Sequence, residues 1–101
     1  VAELKAGKIK EYELDPGSLG LTRCALGAFA GGDAKRNAEI LLSVLQGTPG
    51  PARDICALNA AAALVAARIA VDFKEGLLRA YESLDAGQAL RRLESLRKLC
   101  A

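Results

Sequence analysis

From Ala34 onward, apolar residues recur at helical spacing; before it they do not. Ala38, Leu41, Leu42 and Leu45 follow the i, i+3, i+4, i+7 pattern of one buried face and predict a helix over about 34–46. Asp33 stands where a side chain can accept a hydrogen bond from the exposed first turn, and Gly47 where glycine ends a helix. After the turn Thr48-Pro49-Gly50, Pro51 suits the first position of a second helix, about 51–67, because its missing N–H costs nothing there. Beyond Asp54 this helix is apolar nearly all round: Ile55, Cys56, Ala57, Leu58, then 60–67. A helix apolar on every face is expected to be buried on every face. Asp72-Phe73-Lys74-Glu75 has the spacing of a capping box and opens a helix over about 73–85, with Leu77, Leu78, Tyr81 and Leu84 inward. A last helix, about 88–99, carries Ala89, Leu93, Leu96 and Cys100 on one stripe with Leu90 beside it. Arg91, Arg92, Arg97 and Lys98 face water around Glu94.

The start of the chain reads as extended. Residues 1–5 and 8–14 predict two short strands around Ala6-Gly7, where Gly7 offers the positive φ of a tight hairpin. Asp15-Pro16-Gly17-Ser18 suits a type II turn with Gly17 at positive φ. Residues 19–26 carry no clear period and read as a loop with one short helical turn. A lone two-stranded hairpin is marginal in water, so this one needs a sheet or helices to lie against. The fold class is α/β: a hairpin or pair of sheet-edge strands within 1–14, then four helices, in a single unit spanning 1–101.

Length and composition change this picture in one respect. A chain of 101 residues has only a modest core of its own. Yet 51% of residues are apolar and only 4% aromatic, so the core must come from Leu, Ala, Val and Ile. With little else to bury the second helix, either part of a longer protein or an oligomer is expected to cover it. The chain also opens at Val1 and contains no Met, which reads as an internal point in a longer protein.

Charge and residue types exclude several chemistries. The net charge of +2, from 14 basic and 12 acidic residues, is too balanced for a nucleic-acid or anionic-membrane surface. No apolar run is long enough to span a bilayer. There is no His, which removes the commonest general base and metal ligand. Cys24, Cys56 and Cys100 are scattered, form no CxxC, and suit a reducing cytoplasm, with Cys56 read as a small core residue.

Candidate sites are few. Gly31-Gly32 before a helix could cradle an anion, but Asp33 would put a negative charge where a phosphate should sit. Asn37 and Asn59 sit on helical faces expected to be buried. They read as amides tying a helix to a neighbouring loop rather than facing a substrate. Arg53 and Asp54 open the second helix, where a carboxylate offsets the dipole. Glu11, Glu13 and Asp15 lie on an exposed hairpin and turn. Arg91, Arg92, Arg97 and Lys98 make a solvated face without interleaved aromatics. These residues offer no nucleophile–base pair, no metal cluster and no phosphate loop.

Certain words of the sequence nonetheless form an ordered series. They are Gly-Gly-Asp-Ala-Lys-Arg-Asn-Ala-Glu-Ile-Leu (31–41), Val-Leu-Gln-Gly (44–47), Gly-Pro-Ala-Arg-Asp (50–54), Leu-Asn-Ala-Ala-Ala-Ala-Leu (58–64), Lys-Glu-Gly (74–76) and Leu-Asp-Ala-Gly-Gln-Ala (84–89). With the hairpin, Tyr-Glu-Leu-Asp-Pro and Leu-Gly-Leu ahead of them, they resemble the C-terminal part of the anthranilate phosphoribosyltransferase family over essentially the whole chain. One departure is Arg68, where the family commonly has glycine. Arg68 is expected either to adopt a left-handed conformation or to end the helix differently.

The resemblance implies a magnesium-dependent enzyme of tryptophan biosynthesis that transfers phosphoribosyl from phosphoribosyl pyrophosphate to anthranilate. It implies a small helical domain, through which the enzyme dimerises, and a large α/β domain of nucleoside phosphorylase-like fold. The family's diphosphate loop, anthranilate-binding residues and magnesium-binding Asp-Glu pair all precede the point matching Val1. No catalytic, substrate-binding or metal residue therefore carries over, and the chain alone is expected to be inactive. Two other classes stand as alternatives: a pyrimidine nucleoside phosphorylase-like relative, and a non-enzymatic helical or nucleic-acid-binding module.

Overall fold

The computed structural model describes residues 1–101. Strands β1 (Ala2–Lys5) and β2 (Lys8–Glu11) form an isolated antiparallel pair. Ala2 lies opposite Glu11, Glu3 opposite Lys10, Leu4 opposite Ile9 and Lys5 opposite Lys8. Gly7 takes the expected positive φ of 75°, and Ala6 joins it at 51°, as a primed two-residue turn requires. Val1 and Tyr12 extend the ladder: the Tyr12 N–H donates to Val1 O at 2.9 Å. The Val1 ammonium donates to Tyr12 O at 2.7 Å. Residues 12–14 lie outside the strands, since β2 ends at Glu11 rather than running on to residue 14.

The segment 15–18 is not a type II turn. The Asp15 carboxylate accepts from the Gly17 N–H at 2.9 Å, which holds the chain in a 3-10 turn over Pro16–Leu19. Gly20, not Gly17, takes the positive φ, at 81°. A second 3-10 turn spans Leu26–Phe29.

Four helices follow: α1 (Ala34–Leu45), α2 (Pro51–Ala66), α3 (Phe73–Asp85) and α4 (Gln88–Cys100). Their bounds lie within a residue of the sequence expectation. Helix α1 ends in a Schellman motif: Thr48 N–H donates to Ser43 O and Gly47 N–H to Val44 O, both at 3.0 Å, with Gly47 at φ 85°. Helix α2 ends the same way with arginine in the glycine position. Ile69 N–H reaches Leu64 O at 2.9 Å, Arg68 N–H reaches Val65 O at 3.0 Å, and Arg68 itself is left-handed at φ 60°. At the start of α3, Asp72 accepts from Glu75 N–H at 2.8 Å. The reciprocal bond is shifted by one residue: Glu75 accepts from Val71 N–H at 2.9 Å.

The core lies between α2 and α3, where Ala57 and Ala61 meet Leu77 and Ala80. Gly76 lets the helices close: a Cβ there would lie 2.9 Å from the Cα, Cβ and O of Ala61. Leu19, Leu21, Leu58, Phe73 and Tyr81 pack round this seam. Only seven residues are buried.

Helix α2 is therefore not buried on every face, contrary to its composition. Its Ala57/Ala61 face meets α3, whereas Ile55 and Cys56, round the helix from that seam, are exposed. The rest of the chain covers Ile55 only in part and leaves Cys56 open. For the same reason Leu41, Leu78, Leu96 and Cys100, expected to face inward, are exposed. Nor do the strands pack substantially on any helix. The Cα radius of gyration is 15.2 Å, against about 13 Å for a compact unit of this length. No helix is long and apolar enough to cross a membrane.

Candidate functional site

The most organised polar cluster joins the start of α2 to α3. Pro51 starts α2 so that Arg53 and Asp54 fall in its first turn, facing Tyr81 and Asp85. The Arg53 guanidinium lies over the Tyr81 ring, 4.5 Å from its centroid, and donates to Asp85 Oδ1 at 2.6 Å. The Tyr81 hydroxyl donates to Asp54 Oδ1 at 2.7 Å. The Arg53 side chain is 15% exposed, and its Nε is buried with no hydrogen-bond partner.

Burial, and then the hydrogen bond to Asp54, push the Tyr81 phenol up to about 12. A phenol so placed stays protonated at neutral pH and is neither base nor nucleophile. The cluster closes on itself, charge on ring and hydroxyl on carboxylate, and acts as a latch between two helices. By local spacing Arg53 and Asp54 read only as helix openers. Their partners lie 32 and 27 positions away, and no local spacing announces such a pair.

The Gly31-Gly32-Asp33 segment is a capped helix start. The Asp33 carboxylate accepts from Arg36 N–H at 2.8 Å. Asn37 turns back on the loop: its Oδ1 accepts from Gly32 N–H at 2.9 Å and its Nδ2 donates to Gly32 O at 3.0 Å. A Cβ on Gly31 would collide with Asn37 Oδ1, which explains a glycine there. With the Gly32 N–H taken and a carboxylate beside it, an anion finds no cradle. Asn37 thus ties helix to loop as expected, although it is exposed rather than buried. Asn59 does not: it is exposed, and its Nδ2 donates to Ile55 O of its own helix at 2.8 Å.

The other candidates stay apart. Asp15 pairs with Arg23 at 2.8 Å, and that hydrogen bond, with the one from Gly17, holds its carboxyl below the ordinary value. Arg91 donates to Ala86 O at 3.1 Å, across the α3–α4 junction. Arg97 and Lys98 fall in the last turn of α4, where positive charge suits the dipole. The hydroxyls of Ser18 and Ser95 donate to backbone carbonyls. All three cysteines are exposed, Cys56 included. No three His, Cys, Asp or Glu residues come together in a group that could hold a metal ion. An open groove of 460 Å³ lies between the 14–29 segment and α2, walled mainly by Leu14, Leu21, Phe29, Ile55 and Leu58. It is apolar ground rather than a reaction site.

The sequence that folds into this hairpin and four helices matches a known domain. The family model described as the glycosyl transferase family, a/b domain, matches residues 1–90, and the chain belongs to that family. Within it, the chain is similar to proteins named anthranilate phosphoribosyltransferase. It is 46% identical to that of Desulfatibacillum aliphaticivorans over 98 residues, covering 97% of this chain and 29% of the relative. It is 49% identical to that of Rhodopseudomonas palustris (strain HaA2) over 96 residues, covering 95% and 28%. With that of Clostridium beijerinckii the identity is 42% over 99 residues, covering 98% and 29%. The chain thus spans less than a third of the length of these relatives.

Proposed function

We propose that residues 1–101 are the C-terminal portion of the large α/β domain of an anthranilate phosphoribosyltransferase. The observation that carries this reading is identity of 42–49% along almost the whole chain to enzymes of that name. The complete enzyme transfers phosphoribosyl from phosphoribosyl pyrophosphate to the amino group of anthranilate, with magnesium, in the cytoplasm. It dimerises through a domain that this chain does not contain. In this portion no residue is catalytic, substrate-binding or metal-binding; those groups lie in the rest of the enzyme. The chain's role is to back the domain with a hairpin and four helices of a nucleoside phosphorylase-like fold. The relatives' names favour this over a nucleoside phosphorylase or a nucleic-acid-binding module.

The test is a chimera in which this chain replaces its matching 98 residues in the Desulfatibacillum enzyme. The chimera is expected to form phosphoribosyl anthranilate, and the 101-residue chain alone none. A folded but inactive chimera, or an active isolated chain, overturns the reading.

A further inference from the structure

We draw no further inference here: the strongest candidate, the hollow between the end of α3 and the start of α4 lined by Ser83, Gln88, Arg91, Arg92 and Ser95, rests on a helix N-terminus beside two exposed arginines, and nothing in the structure shows what would bind there.

Discussion

Gly76 of α3 lies against Ala61 of α2 so closely that even one added carbon meets the Ala61 backbone at 2.9 Å. Two effects oppose each other in Gly76→Ala. Alanine in a helix interior gains about 1 kcal/mol over glycine. Forcing apart a packed seam costs about 1–3 kcal/mol. Here the neighbour is backbone, which cannot rotate away, so the steric cost should win. Urea unfolding of Gly76→Ala is expected to show a lower midpoint; a raised midpoint would mean the helices part at little cost.

The Arg53–Tyr81 latch makes a second prediction. Tyr81→Phe keeps the ring under Arg53 but removes the hydroxyl bond to Asp54, and should cost about 0.5–1.5 kcal/mol. Arg53→Ala removes the charge over the ring, the bond to Asp85 and the packed stem together, and should cost more, about 1–3 kcal/mol. Thermal melts of the two variants would rank them. The reverse order would place the latch's strength in the hydroxyl.

Arg68 offers a stabilising change. A left-handed residue with a Cβ costs about 1–2 kcal/mol, and Arg68 holds that conformation at the end of α2. Glycine removes the strain but gives the unfolded chain more freedom, which takes back about 0.4–1 kcal/mol. Arg68→Gly should therefore raise stability by about 0.5 kcal/mol. A measured loss would mean that the arginine side chain does something the cap geometry does not reveal.

Acid and alkaline limbs should both have assignable origins. Hydrogen bonds from Val71 and then Arg79 hold the Glu75 carboxyl below its ordinary 4.5. Its contribution to stability is complete above pH 4.5 and is lost as pH falls through the lower folded value. Glu75→Gln should flatten that limb in pH-dependent unfolding. Tyr81 works in the opposite direction: its folded value of about 12 lies above the ordinary 10.0. Stability should be complete below pH 10 and lost as pH rises towards 12. The loss should be absent in Tyr81→Phe.

Much of this fold was legible because its signals are local. Asp33, Gly47, Pro51 and Asp72 mark helix ends through bonds a few residues long, and each does so in the structure. Gly7 likewise marks the hairpin. The type II turn at 15–18 failed because Pro-Gly suits several turns, and the Asp15 carboxylate selected a 3-10 turn. The burial of Leu41, Cys56, Leu78 and Leu96 failed for a different reason. Periodicity reports which side of a helix is apolar, but what covers that side is decided elsewhere. The Arg53–Tyr81–Asp54 arrangement depends on how α3 returns along α2, and no window of sequence contains it. For the candidate sites, local reading sufficed at Gly32 and Asn37, whose partners are neighbours, and missed at Asn59, which turned to its own helix.

The Ala57/Ala61 seam with Gly76 and Ala80 also bears on the order in which the chain assembles. Its two helices are consecutive, joined by a short connection, so the largest buried surface forms from residues near in sequence. Closing a short loop costs little entropy, and local contacts of this kind form fast. The α2–α3 helical hairpin is thus the natural first structured unit.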